Sequence, residues 1–263
     1  MEKFTFEQLK YFLDEKYNEY NNKQFIQSDP IQIPHTFSQK ENIEIAGFLA
    51  STIAWGQRKS IISNSKKMME IMENNPIEYL KNVSDNEIDK IRNITHRTYN
   101  YEDFQFFVKS LKNIYLNHNG LENVFTTGFQ KNNTVKEAIK YFREVFFSIP
   151  FPERTSRHVA NVDKKSAAKR INMFLMWMVR HDDNGVHFGI WKRIPTSALM
   201  LPIDVHTGNT ARALGLLTRT QTDWQAVEEV SDNLRKFDPI DPIKYDFSLF
   251  GIDLNKLLNK PVK

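Results

Sequence analysis

The feature that most constrains this chain is the spacing of its apolar residues. They recur three and four positions apart along most of its length, and sustained period-two alternation is scarce. Ile45, Phe48, Leu49, Thr52 and Ile53 line one stripe, and Ile61, Ile62, Ser65, Met68, Met69 and Met72 another, stopped by Asn75-Pro76. Phe104, Phe107, Val108, Leu111, Ile114 and Tyr115 form a third, Ile139, Phe142, Val145 and Phe146 a fourth, and Ile171, Phe174, Leu175 and Met178 a fifth. A helix with one apolar face must bury it against another element, so this succession predicts an all-α fold. Thr222 with Gln225 reads as a capping box opening a further helix, with Val227, Val230, Leu234 and Phe237 inward and Asp238-Pro239 closing it.

At 263 residues, with 20 Phe, the chain can build a sizeable, aromatic-rich core. Only 9 Gly and 10 Pro leave little room for long flexible linkers. The least helical stretches are 24–37, 148–163 and 182–202; the last, through Gly185, Phe188-Gly189, Trp191 and Pro195, is long enough to suggest a functional connection. The absence of cysteine excludes disulfides, a thiol nucleophile, a cysteine-ligated zinc and an iron–sulfur cluster, and suits a reducing cytoplasm. The opening Met-Glu-Lys-Phe-Thr-Phe-Glu has no apolar signal region and no run of 18 apolar residues follows, so a cytoplasmic location without a membrane partner is expected. A net charge of +4 permits nucleic-acid binding and equally describes an ordinary basic protein.

The chemistry concentrates in Pro202-Ile203-Asp204-Val205-His206-Thr207 and in Lys169 upstream. Aspartate two residues behind a proline reads as an N-cap, where backbone N–H groups and the positive helix end keep a carboxylate ionised. It can be a plain cap, or a fixed anion facing positive charge that develops on a sugar losing its base. Lys169 stands in Ser166-Ala167-Ala168-Lys169-Arg170-Ile171, with small residues before it and an apolar face after it. It can be a solvated helix lysine, or an amine at a pocket mouth that partial desolvation makes nucleophilic.

Pro202-Ile203-Asp204-Val205-His206, running into Ala211-Arg212-Ala213-Leu214-Gly215-Leu216, resembles the catalytic-aspartate segment of the helix-hairpin-helix DNA glycosylase superfamily, P-[VL]-D-x-H before an arginine-containing helix and L-G-L. Lys169 matches the lysine that attacks the sugar in the bifunctional glycosylase/AP-lyase members. Phe48 to Gln57 is similar to the superfamily's first core helix, which ends in a Gln-bearing turn able to wedge into the DNA stack, here at Gln57. The likeness spans roughly residues 40–220. It departs from the pattern just before the lysine, where a glycine-rich hairpin normally cradles a phosphate and this chain has Ala160-Asn161-Val162-Asp163-Lys164-Lys165-Ser166. Asn172 to Arg180, Gly189-Ile190-Trp191 and Asp241-Pro242-Ile243-Lys244-Tyr245-Asp246-Phe247 also resemble motifs of a bacterial family of conserved hypothetical proteins.

The resemblance implies two helical lobes around a central cleft within one unit, 1–263. About 40–150 would be a central lobe and about 151–220 the catalytic segment, with 1–39 and 221–263 packing as terminal helices. It implies a flipped, damaged base, with Lys169 as nucleophile and Asp204 as electrostatic partner, and no cofactor. Duplex DNA is the expected partner, held by Gln57, Arg58, Lys59, Lys164, Lys165, Ser166, Arg170, His206 and Arg212, with Trp55 and Trp191 at the base pocket. Gln57-Arg58-Lys59 and Lys66-Lys67 also fit a solvated basic face, and Trp191 beside Lys192-Arg193 fits a loop anchor as well as a stacking platform. A metal shared by Asp204 and His206 with His181, Asp182 and Asp183 is not expected, because D-x-H on a helix turns the two side chains roughly 200° apart. Met173, Met176 and Met178 read as core filler, and Arg180 with Asp182-Asp183 as a helix end with local ion pairs. The alternatives are a non-catalytic nucleic-acid-binding protein of the same fold, or an enzyme on a modified nucleoside or RNA base.

Overall fold

The apolar stripes become the inward faces of helices in the computed structural model of the protein, which describes residues 4–252. In chain order these are α1 (Phe6–Tyr20), α2 (Lys23–Ser28), α3 (Lys40–Thr52), α4 (Arg58–Ile71), α5 (Pro76–Asn82), α6 (Asp85–Ile88) and α7 (Tyr101–Asn117). They continue as α8 (Gly120–Asn132), α9 (Val135–Phe146), α10 (Lys169–Val179), α11 (Val205–Ala213), α12 (Trp224–Phe237) and α13 (Asp246–Gly251). A two-stranded antiparallel hairpin, β1 (Thr95–His96) and β2 (Tyr99–Asn100), pairs His96 with Tyr99. The class is all-α.

One continuous buried core runs through the described residues. Phe48 of α3 is its hub: its ring lies 5.9 Å from Phe107, 5.3 Å from Phe142, 5.6 Å from Phe146 and 5.6 Å from Phe174. Most of these pairs meet edge to face, the arrangement the ring quadrupole favours, so phenylalanines from α3, α7, α9 and α10 interlock. Capping boxes at Thr5, Ser84 and Asn100 open α1, α6 and α7. The box expected at Thr222 and Gln225 does not form. Asp223 caps α12 instead, accepting from the Ala226 N–H, while the Thr222 hydroxyl receives Arg212. A carboxylate is the better N-cap acceptor, and it shifts the helix start by one residue.

The stretch 182–202 is pinned against α10 rather than looping free: Phe188 N–H donates to the Trp177 carbonyl at 2.9 Å and Trp191 N–H to Met178 at 3.0 Å. Arg180 anchors the turn. Its fully buried guanidinium donates to Asp241 at 2.9 and 3.0 Å, to Asp182 at 2.7 Å and to the Tyr17 hydroxyl at 2.9 Å. A buried cation is tolerated only when its donors are so engaged, and the ion pair read at this helix end thereby also ties α1 and the segment before α13 to α10. The connection returns the chain to the start of α10, where Asp204 opens α11. No described helix is long and apolar enough to cross a membrane.

Candidate functional site

The turn before α10 is built without glycine. The Asn161 side chain accepts from the Asp163 and Lys164 N–H groups at 3.0 and 3.2 Å, its carbonyl accepts from Ser166 N–H, and the Lys165 carbonyl accepts from Trp224 N–H. Lys165 and Ala168 take left-handed backbone, with φ of 63° and 49°. Such a conformation costs a residue with a Cβ about 1–2 kcal/mol, which the surrounding hydrogen bonds offset. The turn makes Lys169 the first residue of α10, at the positive end of a helix that no side chain caps.

Asp204 stands 35 positions away in sequence and opens α11 as its N-cap, with Oδ1 accepting from Thr207 N–H at 2.9 Å. Its other oxygen, Oδ2, accepts from Lys169 Nζ at 2.9 Å. Burial works to raise the Asp204 carboxyl, but the Lys169 ammonium and the Thr207 N–H outweigh it and hold it below its ordinary value. Both side chains keep about a third of their surface exposed (29% and 34%), because they face an open cavity of about 610 Å³. That volume lies in the range of sites that hold a ligand of nucleotide size. An amine and an ionised carboxylate therefore meet at the wall of an accessible cavity.

The rest of the wall is aromatic and basic. Trp55 follows the end of α3, with the Arg170 guanidinium 4.6 Å over its ring. Arg170 also donates to the Thr52 carbonyl, and burial lowers its guanidinium to about 10. His96 donates Nε2–H to the Trp55 carbonyl at 2.9 Å and accepts from Asn64, fixing the indole from below. His158 lies near-parallel to Trp55 and within 3.2 Å of Asp103. Burial pushes the Asp103 carboxyl up, but His158, Asn100 N–H and the Thr155 hydroxyl prevail and bring it to about 2. This histidine–carboxylate pair braces the wall.

Of the residues expected at the site, Trp55, Arg58, Ser166, Lys169, Arg170 and Asp204 line the cavity. Gln57 and Lys59 are exposed beside Arg58, Lys164 and Lys165 are exposed on the turn before Ser166, and His206 is exposed on α11 with its ring edge-on to Phe250 at 6.5 Å. Two expectations need correction. Trp191 is not at the pocket: it is 1% exposed, packed edge-on to Phe174, and its indole N–H donates to buried Glu44 at 2.7 Å. Its polar edge found a partner in the core, so its ring is unavailable for stacking a base. Arg212 does not face a phosphate. Its donors turn inward to the Arg219 and Thr220 carbonyls at 2.8 and 2.9 Å, bracing the loop before α12.

The structure adds two carboxyl groups around Lys169 that local sequence did not single out as site residues. Asp29, buried, caps a short 3-10 turn through Ile31 N–H and lines the cavity. Asp246, first residue of α13, lines a small chamber of about 40 Å³ behind Lys169, with Asp29 and Phe250. Burial raises both carboxyls against the pull of nearby cations, Asp246 to about 7. An Asp–Pro cap at Asp29-Pro30 and the Asp241–Phe247 motif were the only local signals. Among the described residues, no group of three or more His, Asp or Glu is arranged to hold a metal ion.

Fold and site together define a helical protein with an ion-paired lysine at an aromatic, basic cavity. The chain belongs to the family described as "Protein of unknown function (DUF2400)", whose model matches residues 29–255 and so spans the whole cavity. No curated protein and no solved structure matches the chain.

Proposed function

We propose that this protein is a DNA base-excision glycosylase with AP-lyase chemistry, acting on a flipped, damaged nucleotide. The reading is carried by the Lys169–Asp204 pair, 2.9 Å apart at an open cavity of nucleotide size, and it agrees with the sequence resemblance at these two positions. A nucleotide in the cavity would present C1′ to Lys169 Nζ. As the glycosidic bond breaks, its electron pair leaves with the base, and the ionised Asp204 carboxylate faces the positive charge growing on the sugar. Attack by the amine, which sheds a proton, then gives a hemiaminal ether, and opening of the C1′–O4′ bond, with O4′ taking a proton from solvent, gives an iminium on Lys169. Trp55, stiffened by Arg170 and His96, offers a face to the extruded base.

The test is borohydride trapping on duplexes carrying an abasic site, 8-oxoguanine or an alkylated base. A covalent adduct is expected with the wild type, none with Lys169→Ala, and a loss on the order of 10²-fold or more in rate with Asp204→Asn. A wild type that forms no adduct and releases no base across the panel removes the reading.

A further inference from the structure

An ammonium has no lone pair, so Lys169 must give up a proton before it can attack anything. Its nearest carboxylate is a poor recipient: Asp204 is held below its ordinary value by the same ammonium and by Thr207. Behind Lys169, however, lies a small chamber of about 40 Å³ that shares Asp29, Lys169, Met173 and Phe250 with the cavity wall. Asp246 lines that chamber, and its carboxylate has no hydrogen-bond partner among the described residues. The space has room for a water molecule or two, enough to bridge a carboxyl and an ammonium.

We propose that Asp246 is the proton acceptor of Lys169, a positioning residue that acts through the amine and does not touch the sugar. This deepens the glycosylase reading and rests on it for the identity of the acceptor sugar. One Lys169 proton passes to the Asp246 carboxylate, leaving Nζ with a lone pair. Once the glycosidic pair has departed with the base, that lone pair forms the bond to C1′, and the departed base nitrogen takes one of the two protons still on Nζ. Burial raises Asp246 to about 7, which suits a group that must both take and release a proton near neutrality. The groups acting on it are Lys169 and Arg180 from the two ends of α10, Asp204 from the start of α11 and Asp29 from the 3-10 turn, with His187 in the chamber wall. On the far side of α13, Asp14 of α1 is engaged by Tyr245 and Lys244.

The experiment is the pH profile of adduct formation on an abasic duplex. The wild type is expected to rise and level off through an inflection near 7. Asp246→Asn should fall about tenfold or more at pH 7 and lose the inflection, its rate climbing on with pH, while Asp246→Glu restores the plateau. A merely structural role would lower the rate and keep the profile. Should the wild type form no adduct at all, the function fails but the proton link is still decided by NMR of the chain with 13Cε-labelled lysine. The Lys169 resonance, assigned with Lys169→Arg, should show a step near 7 that Asp246→Asn removes. An inflection and a step that survive in folded Asp246→Asn overturn the inference.

Discussion

Glu44 shows how one residue of this core trades stability against pH. Its Oε1 accepts from the Trp191 indole at 2.7 Å and its Oε2 from the Tyr115 hydroxyl at 2.6 Å, with the side chain 3% exposed. Burial pushes its carboxyl up to about 7, against the lowering pull of those two donors and of Lys40. A carboxyl raised on folding binds its proton more tightly in the native state. Its contribution is therefore greatest below the unfolded value near 4.5 and is lost as pH rises toward 7. Glu44→Gln keeps an acceptor for Trp191 and turns its amide toward the Tyr115 oxygen without a charge to desolvate. In urea unfolding, the wild type should lose stability relative to this variant between those pH values, by about 3 kcal/mol at most. Parallel pH curves for the two proteins would show that the buried charge is not penalised.

At the scale of elements, the turn from Asn161 to Ala168 aims the lysine-bearing end of α10. Lys165 is exposed and left-handed, so Lys165→Gly relieves its Cβ while adding chain entropy to the unfolded state, a net gain of about 0.5–1 kcal/mol. Asn161→Ala removes the acceptor of two turn N–H groups and should cost about 1 kcal/mol. Thermal unfolding checks both, and a stabilising Asn161→Ala would mean the turn is held by something else. This turn also shows where sequence reading stops. The glycine-rich pattern is absent, and an Asx side chain with two left-handed non-glycine residues makes the turn into α10 instead. Helical stripes were legible because burial imposes its period on neighbours, and Asp204 was legible because capping is local. Asp29 and Asp246 were not placed at the site, because nothing in their own neighbourhoods encodes a meeting with Lys169. Trp191 misled for a related reason: its basic neighbours in sequence suggested a surface, while its partner Glu44 lies far back along the chain.

Across the whole molecule the net charge of +4 is modest, so any affinity for a duplex must come from where the cations stand. Among the described residues, no carboxylate pairs within 4.0 Å with Arg58 or Lys59 at the start of α4, or with Lys164 or Lys165 on the turn before α10. Many other lysines, such as Lys40, Lys109 and Lys140, are neutralised by acidic neighbours. Arg58 and Ser166 put those two elements at the cavity's edge, so on the proposed glycosylase reading their charges would displace counterions from phosphates flanking the nucleotide. Each lost phosphate contact should flatten the dependence of log Kd on log salt by about 0.9. Lys164→Glu with Lys165→Glu should therefore weaken duplex binding and reduce the slope by about 2. Lys90→Glu with Lys236→Glu, the same change in net charge at exposed positions outside the cavity lining, should leave the slope nearly intact. Equal losses for the two pairs would mean that overall charge, rather than the edge of the Lys169 cavity, draws the nucleic acid in.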